Sequence, residues 1–148
     1  MESTSYLFFL HISMPIITLL LAAVAVFVVG MIRYSPVLFG DIYMKLVTGG
    51  KKKGEKPSLA KMLPLFVGQF VLGGIKAFVT YVFLTYGGAV SYQDAIVTAI
   101  MLWVGYELTT TLGNAIWEKR SWKYYAITSG MELLGLIVIA LVIVATSA

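Results

Sequence analysis

Three ionisable side chains, Lys76, Glu107 and Glu132, fall inside long apolar runs of a 148-residue chain in which only 12% of residues are charged. A charge near the middle of a bilayer costs from about 2.5 to more than 10 kcal/mol, so such groups turn toward protein and pair. One ammonium and two carboxylates allow two arrangements. In the plainer one Lys76 pairs with Glu107, and the remaining polar groups make interhelical hydrogen bonds of about 0.6 to 2 kcal/mol that fix register. In the other, the second carboxylate has no cation of its own and can take up and release a proton on a path through the membrane.

Residues three and four apart stack on one face of a helix, and this spacing gathers the polar groups into stripes. Gln69, Gly73, Lys76 and Thr80 form one, Glu107, Thr110, Thr111 and Asn114 a second, and Thr128, Glu132 and Gly135 a third. A fourth face, with His11, Thr18, Ala22 and Ala25, is small enough to let a neighbouring backbone approach closely. Four such faces can enclose one polar axis. Lys76, Glu107, Glu132, Gln69 and Asn114 are therefore the candidate binding or transport residues.

Other chemistry is poorly supplied. The chain has no cysteine, which removes thiol nucleophiles, thiolate ligands, disulfides and iron–sulfur clusters. Its single histidine, His11, cannot supply the two or three imidazoles of a usual catalytic zinc site, and it sits where an interfacial or packing role is expected. No HExxH, nucleotide loop or Ser/His/Asp set is present. Gly73 and Gly74 lie inside an apolar run and are packing or hinge positions. The expectation is a protein that is not an enzyme, with no metal and no cofactor.

The elements that must position these residues follow from hydropathy. With 59% hydrophobic residues and a mean hydropathy of +0.90, the chain is far more apolar than a soluble domain. Four runs are long enough for the roughly 20 helical residues that cross a bilayer: about 8–32, 62–86, 94–116 and 124–146. They are continuously apolar, unlike the alternating strands of a membrane barrel. The predicted fold is all-α and integral to the membrane, a single domain over 1–148 with four transmembrane helices in an up-down bundle.

At about 1.5 Å per residue Lys76 lies roughly 20 Å from the cytoplasmic end of its span, Glu107 roughly 14 Å and Glu132 roughly 12 Å, offsets a lysine stem can cover. Ala23, Val24 and Ala25 could pass for a signal-peptide cleavage site. No Lys or Arg precedes the run, however, and it continues to Ile32, so an uncleaved span is expected.

The net charge of +4 is not a nucleic-acid signature, because its carriers sit in short loops. Arg33, Lys45, Lys51, Lys52, Lys53, Lys56 and Lys61 follow the first run, and Lys119, Arg120 and Lys123 follow the third. The positive-inside rule then places both loops in the cytoplasm and both termini outside, in a multi-pass protein of the cell membrane. Trp117, Trp122, Tyr124 and Tyr125 would mark the inner interface, Tyr86 and Tyr92 the outer. The short link between the second and third runs makes those spans neighbours. In the basic loop, about 33–61, Ser35 and Pro36 can open a short interfacial helix from Val37 to Val47, followed by a flexible basic tether.

The segment Tyr34, Ser35, Pro36, Phe39 and Gly40, after Gly30 and Arg33 and before Tyr43 and Met44, resembles the signature of the domain of unknown function 1761 family. Trp103, Val104, Gly105, Tyr106 and Asn114 extend the resemblance. Arg33 and Tyr43 stand where that pattern usually has tryptophan. The resemblance implies a small four-span membrane protein and carries no activity.

Two functional readings follow. The leading one is a small transporter or channel-like protein for a proton, ion or small solute along the polar seam. The rival is a non-catalytic subunit or organiser whose protein partner docks on the basic loop. Self-association is expected as well, because a chain this short encloses little volume and keeps small-residue faces to spare.

Overall fold

The computed structural model describes residues 15–33, 59–118 and 120–147. They form four helices, α1 (Ile16–Arg33), α2 (Leu59–Tyr86), α3 (Tyr92–Trp117) and α4 (Trp122–Ser147). Segments Leu63–Tyr86, Tyr92–Trp117 and Trp122–Thr146 are long and apolar enough to cross a membrane. Each agrees with a run read from hydropathy to within two residues at either end. The apolar part of α1, Ile16–Ile32, is shorter, and residues 8–14 of the first expected span lie outside the described residues.

Local chemistry sets the helix ends. α2 begins at Leu59, three residues before the apolar run, so Pro64 falls within the helix. It stands in the second turn and removes the donor for the Ala60 carbonyl. At the other end Gly88 adopts a φ of +66°, Ala89 N–H donates to the Leu84 carbonyl at 3.0 Å and Gly88 N–H to that of Thr85 at 3.2 Å. These paired bonds close a helix with a left-handed glycine, and Ala89 packs back on the core that holds Leu84.

α3 starts on a capping box: Asp94 N–H donates to Ser91 Oγ and Ser91 N–H to Asp94 Oδ2, both at 3.1 Å. α4 opens more simply, with Tyr124 N–H donating to Ser121 Oγ at 3.3 Å.

α4 is the centre of the packing, lying against α1, α3 and α2, and α1 also lies along α2. The fully packed core gathers Ala22, Ala77, Ala95, Ala99, Ile139 and Ala140, all with no exposed surface, beside Leu84, Leu136 and Ile143. Alanines let backbones come close, which is how helices gain dispersion contact without a hydrophobic drive in lipid. α2 and α3 touch mainly near their joined ends. Beyond those ends their separation leaves space, floored by α1 and α4.

Most large apolar side chains point outward, among them Val71, Leu72, Ile75, Val97, Met101 and Leu134. That is the surface a lipid-facing helix presents. Trp117 and Trp122 are largely exposed at one end and Tyr92 at the other, as interfacial anchors would be. Tyr125 departs from that expectation: it is buried, and its hydroxyl donates to Glu118 Oε2 at 3.1 Å.

Candidate functional site

The space between α2 and α3 is a cavity of about 1180 Å³, and Lys76, Glu107 and Glu132 reach it from three different helices. Lys76 Nζ donates to Glu132 Oε2 at 2.5 Å and stands 3.4 Å from Glu107 Oε1. The pairing expected with Glu107 is thus secondary, and the shorter, hydrogen-bonded partner is Glu132. Each of the three side chains keeps about a third of its surface exposed, 32%, 33% and 32% for Lys76, Glu107 and Glu132. They form the polar lining of an open space and are not sealed in the core.

The polar stripe of α2 behaves as its spacing foretold. Gln69, Gly73, Lys76 and Thr80 all line the cavity, and so do Thr128, Glu132 and Gly135 of α4. Thr80, almost fully buried, donates its hydroxyl back to the Lys76 carbonyl at 2.8 Å.

The stripe of α3 is broken. Glu107 faces the cavity, whereas Thr111 and Asn114 line a separate pocket and Thr110 lies on the exposed surface. Glu107 lies within a π-helical turn from Trp103 to Leu108, and the other three follow in regular α-helix. A π turn accommodates one extra residue, which offsets the following face by about 100° relative to a regular helix. Trp103 Nε1–H, donated to the Ser129 carbonyl of α4 at 2.8 Å, ties the turn to its neighbour. Thr109 Oγ1 donates to the Gly105 carbonyl at 2.8 Å. No pattern of residue types in the sequence announces such a turn.

Glycines set the floor beside the charges. A Cβ on Gly73 would lie 2.8 Å from Val26 Cγ1, and one on Gly135 would lie 3.3 Å from Val26 Cγ2. Gly73 is one turn before Lys76 and Gly135 one turn after Glu132, so Val26 of α1 is a wedge that holds both ion-bearing helices at a set distance. Phe27 beside it meets Phe66 and Phe70 edge to face, with centroids 6.1 Å apart in each case.

The second pocket, about 240 Å³, is lined by Thr111, Asn114, Glu118, Arg120, Tyr124, Tyr125 and Thr128. Tyr124 and Thr128 line both spaces, so the polar surface runs on from Glu132 toward the Trp117 and Trp122 end of the bundle. There Arg120 stands 3.6 Å from Glu118 and lies over the Tyr124 ring, 5.0 Å from its centroid. Asn114, expected beside Glu107, contributes instead to this outer pocket, and its carbonyl accepts from Tyr125.

Among the described residues no three His, Cys, Asp or Glu side chains gather as a metal site. The signature turn of Tyr34, Ser35, Pro36, Phe39 and Gly40, the interfacial helix expected from Val37 to Val47 and His11 lie outside the described residues.

Comparison with curated proteins and with solved structures gives no match. A family model does match: the one described as protein of unknown function (DUF1761), over residues 17–144. That range takes in all three ion-bearing positions. The helices long enough for a membrane, the tryptophan-bearing third helix and this match lead to one conclusion, that the chain belongs to the DUF1761 family.

Proposed function

We propose that the protein is a small membrane transporter, moving a proton, ion or small solute past Lys76, Glu107 and Glu132. One observation carries this reading: the ion cluster lines a large open cavity between helices long and apolar enough to cross a membrane. A charge pair serving only to lock helices together has no need of such exposure, and intramembrane charges that line water-accessible space mark pathways. The two carboxylates share one ammonium, so the cluster can lose its excess charge to a proton or to a cationic solute.

This reading includes a fourth crossing by the segment that holds α1, and an up-down order of the four spans. The positive-inside rule supports cytoplasmic basic loops, which puts the smaller, Arg120-bearing pocket at the cytoplasmic mouth. A homo-oligomer in the cell membrane and a non-enzymatic role belong to the same proposal.

The test is flux in proteoliposomes, read with a pH-sensitive dye and a panel of small ions. Wild type is expected to give a specific flux, which Lys76→Met and Glu107→Gln abolish at matched insertion. No flux under any condition, together with variants less stable than wild type, would overturn the proposal and return the chain to the class of partner-binding subunits.

A further inference from the structure

The charge balance of the cavity, set against the chemistry of its walls, narrows the solute. Resting on the transport reading, we propose that the cavity binds an amphipathic organic monocation, an ammonium, phosphonium or amidinium carried on apolar groups, through Glu107.

With both acids ionised, Lys76, Glu107 and Glu132 sum to one negative charge. Lys76 is hydrogen-bonded to Glu132 at 2.5 Å and stands farther from Glu107, at 3.4 Å. Glu107 therefore carries the charge that Lys76 balances least. Four other titratable groups line the cavity among the described residues. α2 contributes Lys76 and α4 contributes Glu132 and Tyr124, while α3 itself contributes Tyr106. α1 has no titratable side chain between Ile16 and Ile32.

A monocation beside Glu107 neutralises the site without breaking the Lys76–Glu132 bond. An anion fares worse, since it would have to pull Lys76 away from two carboxylates.

The walls select for size and surface. At about 1180 Å³ the space is larger than a hydrated metal ion needs and suits an organic molecule. Phe66, Phe83 and Tyr106 offer aromatic faces to a cation, and Leu65 and Met31 offer apolar surface. Small inorganic ions draw nothing from such walls.

The experiment uses the full chain in lipid nanodiscs with radiolabelled tetraphenylphosphonium, and tetraphenylborate as an anion of the same shape. Wild type is expected to bind the phosphonium saturably, above protein-free nanodiscs. Glu107→Gln should weaken binding at least tenfold. Lys76→Met should keep it or tighten it, while losing flux because the doubly negative site releases its cation slowly. This second variant guards against loss through misfolding. Equal binding of the borate, binding indifferent to Glu107, or loss of binding in a folded Lys76→Met protein would overturn the inference. Saturable binding without flux supports the site and removes the transport reading; proton flux without phosphonium binding supports transport and removes the cation.

Discussion

The two halves of the helical bundle solve opposite problems with the same four helices. Toward the Tyr86 and Tyr92 end, Leu84, Ala95, Ala99, Ile139 and Ala140 are sealed, and the buried polar side chains there among the described residues, Thr18 and Thr80, are short hydroxyls, Thr80 at the edge of the cavity. Toward the Trp117 and Trp122 end, α2 and α3 part, and Lys76, Glu107 and Glu132 line the gap. Small residues make the first half rigid at close range. Charges, glycines and a π turn leave the second open. In lipid this division has a physical logic: a cavity with charged walls costs stability, and a tightly packed region within the same helices offsets it.

If this division holds, the largest loss of stability should come from the sealed half. Ile139→Ala removes the largest fully buried side chain where alanine neighbours cannot collapse into the space. A destabilisation of about 2 to 5 kcal/mol is expected from large-to-small core substitutions. Denaturant titration of the protein in mixed micelles measures it. A smaller effect than Glu132→Gln gives in the open half would reverse the assignment of which half holds the structure together.

The junction of the halves lies at Val26, and the next effect is predicted there. Gly73→Ala sets a Cβ against Val26 Cγ1 at 2.8 Å, so α1 or Val26 must shift. Overpacking of this kind costs about 1 to 3 kcal/mol. Adding Val26→Ala should return most of it, and a double-mutant cycle by the same titration checks the coupling. Independent, additive effects would show that Val26 does not set the spacing of α2 and α4.

The contrast between the halves was unevenly legible in the sequence. Hydropathy located α2, α3 and α4 closely, since a membrane helix must satisfy its own backbone and be apolar for a fixed length. The meeting of Lys76, Glu107 and Glu132 was also legible, because isolated charges in lipid have few choices. Ser91 and Asp94 carried a readable cap: their i, i+3 spacing is that of a capping box, and it starts α3 two residues earlier than apolarity alone suggests. Three features were out of reach. Preference for Glu132 over Glu107 depends on side-chain reach across helices, the wedge of Val26 between Gly73 and Gly135 depends on tertiary contact, and the π turn depends on Trp103 finding the Ser129 carbonyl.

The smallest predicted effect lies beside that turn and has an unusual sign. Ser129 is buried, and its Oγ has no hydrogen-bond partner among the described residues, although its carbonyl accepts from Trp103. A buried hydroxyl left unsatisfied is a cost of about 1 to 3 kcal/mol, and some of that remains recoverable in lipid because the unfolded chain in the membrane also seeks partners. Ser129→Ala keeps the carbonyl, and with it the Trp103 bond that anchors the π turn, while removing the hydroxyl. The expected result is a stability unchanged or raised by up to about 1 kcal/mol, with flux intact. A clear loss of stability in the micelle titration would mean that the hydroxyl holds an ordered water or a solute, and the open half would then extend behind α3 as well as in front of it.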